Sequence, residues 1–223
     1  MGITQSDLLF KYTGTGSASN PEQSLGGTLS PNTIASGVAN NIFDDVTGDE
    51  ASTGVQHFRA IGIHNTSTTH IFMNTKAYIS GYTRASGTFD VIYFGTERPS
   101  GTGGDPDGTI QTISAETVEP TGITWYAEGS PSQTITISGK DYDGSIGPND
   151  WSAIWLQRSV PANAEAYSNR SCTLVIRGET SASPLREVEV VFVIHWDDTN
   201  FRVEQIGDLK PFEARIFDPK EKM

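Results

Sequence analysis

The stretch of residues 55–80, VQHFRAIGIHNTSTTHIFMNTKAYIS, has the clearest structural pattern in this sequence. Two runs rich in β-branched and aromatic residues flank a polar break at residues 65–69, NTSTT. Apolar side chains recur at every second position, for example Ile61 and Ile63 in the first run and Ala77 and Ile79 in the second. Period-two patterning between turn residues is typical of a half-buried antiparallel strand pair. We therefore expect residues 55–64 and 69–79 to pair and to seed an all-β sandwich.

Later runs have the same character and are bounded by Gly, Pro or Ser. The further predicted strands are residues 86–96, 109–113, 122–127, 133–138, 151–160, 171–177 and 186–196. Many short strands separated by turn signals are typical of a sandwich or barrel. The sequence thus predicts an all-β fold, an antiparallel β-sandwich of the Ig-like or jelly-roll-like kind, with extended N- and C-terminal arms.

Composition narrows the class of protein. A chain of 223 residues fits one β domain with extensions, or at most two small domains. Its only cysteine is Cys172, predicted to be a core residue, so no intrachain disulfide can form and assembly in a reducing compartment fits best. The net charge of −12 argues against nucleic acid as a partner, because phosphate binding needs a basic surface. We expect neither a signal peptide nor a membrane span, since no long apolar run occurs.

The two ends differ from the middle. Residues 1–50 are predicted to be an extended segment, because short apolar clusters alternate with glycine- and serine-rich stretches. This segment is either an arm that orders against a neighbouring subunit or a strand and loops lying on its own domain. Residues 51–198 form the predicted β-sandwich body. Residues 199–223 are predicted to be a C-terminal arm, with a disordered tail as the alternative, because their apolar residues follow no sustained period.

Motifs of catalysis and metal binding do not emerge. The sequence has no G-x-S-x-G elbow and no P-loop, and its four histidines do not form H-E-x-x-H. Two D-x-D-G stretches, at residues 105–108 and 141–144, fail the spacing of a calcium loop and are explained as turns. We therefore predict no catalytic residue, no cofactor and no metal site, and we expect that the protein is not an enzyme.

Two weaker chemical hypotheses concern aromatic and acidic residues. A sugar-binding platform could draw on Trp125, Tyr126, Tyr142, Trp151 and Trp155, although core packing explains tryptophans in a sandwich more simply. A glycosidase pair could be formed by Glu116 with Glu119, or by Asp197 with Asp198. The separation of the two carboxylates in space decides that chemistry, and sequence alone does not provide it.

Several stretches together resemble a pattern in structural proteins of tailed bacteriophages. They are residues 40–50, NNIFDDVTGDE, then Gly54 and residues 57–65, HFRAIGIHN. The family pattern is approximately N-x-F-D-x-V-x-G-x-E, a short gap, then an aromatic residue, Arg and a strand ending in Asn. Residues 24–27, SLGG, and 154–162, IWLQRSVPA, fit it as well. The resemblance covers residues 20–180, and its motifs mark turns and buried strand positions.

This resemblance implies a virion component, and a capsid decoration (cement) protein fits best. Such proteins are typically trimers at local threefold positions, so the implied partners are the major capsid protein and the chain itself as a homotrimer. The implied location is the capsid surface, after assembly in the bacterial host cytoplasm. On this hypothesis the arms carry apolar anchors, which are Leu8, Leu9, Phe10, Phe212, Ile216 and Phe217. The alternatives are a phage tail or baseplate component, and a carbohydrate-binding or adhesin module.

Overall fold

A computed structural model of the chain describes residues 2–34, 38–39, 42–44, 46–80, 90–101, 106, 108–127, 134–165, 170–182, 186–196 and 201–206. The fold is nearly all β, with 49% strand and 8% helix, as the sequence predicts. A six-residue helix, α1 (Gly48–Thr53), precedes the fourth strand. The strands are β1 (Leu8–Gly14), β2 (Gly26–Thr33), β3 (Val38–Ala39), β4 (Val55–Asn65), β5 (Phe72–Ser80), β6 (Val91–Glu97), β7 (Thr109–Thr112), β8 (Ile135–Thr136), β9 (Trp151–Val160), β10 (Arg170–Thr180), β11 (Arg186–Trp196) and β12 (Phe201–Ile206).

These strands form two antiparallel sheets. Sheet A has the strand order β6-β9-β4-β1-β2-β7, and sheet B has the order β3-β12-β11-β10-β5-β8. Their inner faces pack together, with Phe10 and Ile63 from sheet A and Phe72 and Ile176 from sheet B in one buried cluster. The prediction of an antiparallel all-β sandwich is confirmed.

Sheet A is curled into a half-barrel. Six strands side by side would place the two edges of a flat sheet about 24 Å apart. Instead, Glu97 at the end of β6 accepts a hydrogen bond from the backbone N–H of Gln111 in β7, at 2.8 Å. A bridge between Ser100 and Thr109 joins the same two edges. The curl therefore brings the edge strands β6 and β7 together. It also creates a concave face on the side of sheet A that points away from sheet B.

The prediction that the two strands of residues 55–80 pair with each other is wrong. Strand β4 lies in sheet A between β1 and β9, whereas β5 lies in sheet B between β10 and β8. The connection starts at Asn65, whose buried amide nitrogen donates to the carbonyls of His70, Ile146 and Gly147 at 2.9, 3.2 and 2.8 Å. These bonds direct the chain out of sheet A. Period-two patterning identifies strands but not their partners, because pairing depends on distant segments.

The expected half-burial of β4 is also wrong, because both of its faces are buried from His57 to Asn65. One face contributes Ile61 and Ile63 to the core between the sheets. The other contributes Phe58 and Ala60 to a second core, which also holds Trp151, Trp155, Ile110 and Ile113. The curl of sheet A covers the face that a flat sheet would leave in solvent.

The remaining strand predictions vary in accuracy. Strands β9 and β11 have the predicted bounds, and β7 differs by one residue. The predicted strand 122–127 is wrong: an isolated bridge joins Tyr126 to Phe94, because this segment touches the edge of β6 at one position. The predicted strand 86–96 corresponds to β6, and residues 81–89 lie outside the described residues. Cys172 lies in β10, and its side chain is outside the description.

In the N-terminal 50 residues, strands β1 and β2 belong to sheet A of the chain's own body. Leu8 and Phe10 are buried in the core between the sheets, and Leu9 on the opposite face of β1 is half-buried. Their assignment as anchors for a neighbouring subunit stays a prediction. Phe212, Ile216 and Phe217 lie outside the described residues. None of the helices in the described part of the chain is long and apolar enough to cross a membrane.

Candidate functional site

A cluster of charged side chains lies in the interior where β4 begins and β9 ends. His57, Arg59 and Arg158 have exposed fractions of only 2%, 1% and 2%. His57 and Arg59 share one face of β4, and Arg158 lies opposite His57 in the β4–β9 register. Burial of a guanidinium group costs several kcal/mol unless charges and hydrogen bonds compensate. The surroundings of these three side chains must therefore supply the compensation.

The ring of Phe43 lies close to both arginines. The guanidinium carbon of Arg59 lies 5.7 Å from the centre of the Phe43 ring, and that of Arg158 lies 5.0 Å from it. Arginine is suited to such stacking because its planar cation is weakly hydrated. Phe43 itself is fully buried. The ring therefore attracts both positive charges.

Three carboxylates and one backbone carbonyl complete the cluster. Glu116, in the turn after β7, forms an ion pair with Arg59, and Asp44 Oδ1 lies 3.6 Å from Arg59 Nη2. Nη1 of Arg158 donates to the carbonyl of Asp44 at 2.7 Å. Glu50 of α1 places Oε1 at 3.3 Å from Nε2 of His57. Each cation thus has an oxygen or nitrogen acceptor from a distant part of the chain.

The hydrogen bonds define the tautomer of His57. Nη2 of Arg158 lies 2.7 Å from Nδ1 of His57, and a guanidinium group can only donate. Nδ1 must therefore accept, which makes the imidazole neutral with its proton on Nε2, facing Glu50. Burial, together with the charge of Arg158, lowers the pKa of His57. The carboxylates of Glu116, Glu50 and Asp44 oppose this shift without reversing it.

Helix α1 positions Glu50. Oγ1 of Thr47 accepts from the backbone N–H of Glu50 at 3.2 Å, and the Glu50 carboxylate accepts from that of Thr47 at 2.7 Å. This reciprocal capping box satisfies donors at the start of the helix. Burial alone would raise the pKa of Glu50, but the bonds from Thr47 and the charges of His57 and Arg158 lower it. Glu50 therefore caps the helix and also pairs with His57.

The turn after α1 fits tightly against the end of β9. Gly54 has φ of +79°, and a Cβ at that position would lie 2.8 Å from the backbone nitrogen of Ala162. The backbone N–H of Ala164 donates to the carbonyl of Ala51 at 2.9 Å. Only glycine accommodates both the positive φ and the close approach. Three of the stretches that resemble the phage proteins thus contribute described residues to one buried cluster: Phe43, Asp44 and Glu50, then His57 and Arg59, then Arg158. Ser24, in a fourth stretch, instead bonds to Thr13 and Ala60.

This arrangement stabilises the fold and offers little to a substrate. His57 is buried and engaged on both ring nitrogens. Among the described residues, no group of three or more His, Cys, Asp or Glu side chains could hold a metal ion. In the second D-x-D-G stretch, Asp141 pairs with Lys140 and Asp143 with Arg98. Asp105 and Asp107 of the first stretch lie outside the description.

The described structure does not bring together the aromatic residues of the hypothetical sugar platform. Trp151 and Trp155 are fully buried, so they cannot line a sugar platform with Trp125. Trp125 packs on Phe58 with ring centres 5.6 Å apart, and its indole nitrogen donates to Glu119 at 2.8 Å. In the first hypothetical carboxylate pair, Glu116 forms an ion pair with Arg59, and Glu119 is the acceptor of the Trp125 bond. The second pair, Asp197 and Asp198, lies outside the described residues.

Sequence reasoning missed the charged cluster and α1. It treated His57 as an ordinary satisfied histidine and assigned no role to Arg59, Arg158 or Asp44. One available signal was the capping-box pattern T-x-x-E at residues 47–50, which marks a helix start. Another was the pair of arginines inside apolar strand runs, QHFRAIGI and WLQRSV, since buried arginines require acidic partners.

No known family model matches this chain, and no curated protein matches it either. Its function is therefore inferred from its own residues.

Proposed function

We propose that this chain is a non-enzymatic structural protein of a tailed-bacteriophage virion, with capsid decoration as its role. One observation carries the proposal. Residues from three of the stretches that resemble the phage proteins meet in a buried cluster where Phe43, His57, Arg59 and Arg158 contact one another or shared partners. A sequence pattern whose residues meet in the protein interior is typical of a structural protein. The residues of a catalytic pattern would lie where a substrate can reach them.

The surface of the body favours attachment through segments outside the sandwich. Among the described residues, the exposed large hydrophobic side chain is Val118, at 42%. A body of this kind presents little apolar area for a protein interface. Apolar anchors on a terminal arm would supply that area, and pairing at a sheet edge would supply hydrogen bonds. This is the physical reason for retaining Phe212, Ile216 and Phe217 as proposed anchors.

The proposed partners are the major capsid protein and further copies of this chain, as a homotrimer. A decoration protein stabilises the junctions between capsid subunits by adding buried area there. A trimer engages several sites at once, so a weak contact per site gives firm attachment through effective concentration. The net charge of −12 favours the outer surface, because packaged nucleic acid would repel this chain.

The test is immunogold labelling of purified virions whose genome encodes this chain, with antibodies raised against the recombinant protein. Label distributed over the head supports capsid decoration. Label confined to the tail replaces it with the tail or baseplate role. Absence of label, with the chain also absent from dissociated particles in an immunoblot, rejects a virion role. Virions of an unrelated phage serve as the control for antibody specificity.

A carbohydrate-binding role is the second candidate, and the geometry argues against it. Two of the five aromatic residues that would form a sugar platform are fully buried, Trp151 and Trp155. A glycan array probed with the recombinant chain tests this role directly. Binding that is lost in Trp125→Ala, with the fold retained, would favour the sugar-binding role over the virion role.

A further inference from the structure

The charged cluster holds the connection between the two sheets. Strand β3 belongs to sheet B and β4 to sheet A, so the chain crosses between the sheets over residues 40–54. In the described part of this crossover, residues 42–44 and 46–54, Phe43 contacts both arginines and Glu50 faces His57. The side chains that hold the crossover thus come from β4 and β9.

Arg158 connects the crossover to strand β4 of the sandwich. Its Nη1 donates to the carbonyl of Asp44, in the crossover, at 2.7 Å. Its Nη2 donates to Nδ1 of His57, in β4, at the same distance. The planar guanidinium fork makes both bonds in one orientation. Nδ1 of His57 therefore helps to orient the side chain that holds Asp44.

A proton on Nδ1 would convert this acceptor into a donor. Two cationic groups would then lie 2.7 Å apart, each presenting an N–H to the other. The contact can persist only if His57 stays neutral. We propose that His57 is a proton-sensitive latch, whose protonation frees Arg158 and loosens the crossover between the two sheets.

The charged groups that face His57 come from four elements. Arg158 of β9 disfavours the imidazolium, whereas Glu50 of α1, Glu116 of the turn after β7, and Asp44 of the crossover favour it. Arg59, on the same face of β4, is itself paired with Glu116 and Asp44. Burial and Arg158 together outweigh the three carboxylates. The closed crossover therefore resists protonation, and an opened crossover accepts a proton more readily.

The direction of the pH dependence follows from this imbalance. The pKa of His57 in the closed structure lies below its usual value of 6.5. An open or unfolded state consequently binds more protons than the closed state as the pH falls below 6.5. The stability that the latch contributes is fully present above that pH and is lost as the pH falls toward the lower pKa of the closed state.

His64 provides a matched control on the same strand. Burial also lowers the pKa of His64, with a contribution from Lys11. Its Nε2 contacts Oδ1 of Asn149 at 3.1 Å, in the turn that precedes β9. None of these groups belongs to the crossover. Protonation of His64 should therefore leave α1 unaffected.

The experiment is hydrogen–deuterium exchange of the full chain at about pH 7.5 and about pH 5.5, corrected for intrinsic exchange. In α1 the reporters are the backbone N–H groups of Ala51 and Gly54, which donate to Thr47 and Glu50. We expect their protection to fall by up to about tenfold at the lower pH, while β9 keeps its protection. The loss should disappear in His57→Gln, which does not titrate, and persist in His64→Gln.

Three results would overturn the latch. The first is unchanged protection of α1 in the wild type, and the second is full acid loss in His57→Gln. The third is equal loss in α1 and β9, which would indicate global unfolding. If His57→Gln does not fold, the His57 ring is titrated by NMR in the wild type. A ring pKa at or above 6.5 overturns the latch, and a lower pKa with concurrent shifts in α1 supports it.

Discussion

Arg158 makes two hydrogen bonds that no other side chain type could make in one orientation. It donates to the Asp44 carbonyl and to His57 Nδ1, both at 2.7 Å, while its plane lies near the Phe43 ring. Lysine would offer a point charge without the fork. Burial lowers the pKa of Arg158, and the charges of Asp90, Asp44 and Glu50 oppose that shift. The residue thus carries a buried charge that its partners must balance.

Arg158→Met should lower the free energy of unfolding by about 3–5 kcal/mol at about pH 7.5, because the remaining buried acceptors lose their donor. Urea denaturation followed by circular dichroism measures the change. Arg177→Met is the matched control, since Arg177 is exposed on β10 and stacks on Tyr78 at 5.6 Å. We expect the control to cost about 1 kcal/mol or less. Equal losses in the two variants would contradict a special role for the buried arginine.

At the scale of elements, the curl of sheet A depends on close contact between β2 and β7. Gly26 has φ of +89°, and a Cβ there would lie only 1.9 Å from the carbonyl oxygen of Gln111. Gln111 in turn binds Glu97, which also accepts from the indole nitrogen of Trp155 at 2.8 Å. The contacts of Glu97 with Gln111 and Trp155 therefore connect both edges of sheet A to the second core. A side chain at position 26 would push β7 away from β2.

Gly26→Ala should destabilise the protein by about 3 kcal/mol or more, since backbone strain and a backbone clash act together. Gly16→Ala separates the two effects, because Gly16 also has positive φ, +80°, but nothing lies within 4 Å of its Cβ position. We expect Gly16→Ala to cost about 1 kcal/mol. Thermal denaturation compares the two variants. Similar melting temperatures would show that the β2–β7 contact is not under steric constraint.

At the scale of the whole molecule, the C-terminal region continues the body before it leaves the described structure. Strand β12 pairs with β11 from Val191↔Ile206 to Trp196↔Phe201, and also with β3. Residues 201–206 therefore belong to sheet B, and the proposed attachment segment is residues 207–223. This boundary is later than the one predicted from sequence, which began the arm at residue 199.

Deletion of residues 207–223 should leave the melting temperature of the body nearly unchanged and reduce its occupancy on phage heads. The reason is that the deletion removes proposed anchors but no described strand. Occupancy is measured by gel densitometry of heads purified after incubation with the recombinant chain. Deletion of residues 201–223 is the comparison, since it also removes β12 and should lower the melting temperature. Full occupancy with the shorter deletion would reject an attachment role for this segment.

Local pattern was enough to predict the class of fold and much of its strand content. Strands β9 and β11 match their predicted bounds because alternation, β-branched residues and flanking turn residues are properties of the segment itself. The phage resemblance and the virion role it implies remain predictions, which the labelling experiment tests.

Tertiary structure alone decided which strands pair and which charges meet. Strands β4 and β5 entered different sheets because their partners, β9 and β10, come from distant parts of the chain. His57 and Arg158 are 101 residues apart in sequence, yet they share a hydrogen bond. No local period encodes such contacts, because they result from the packing of two sheets and the curl of one of them. Sequence thus determined where strands form, and packing determined what they enclose.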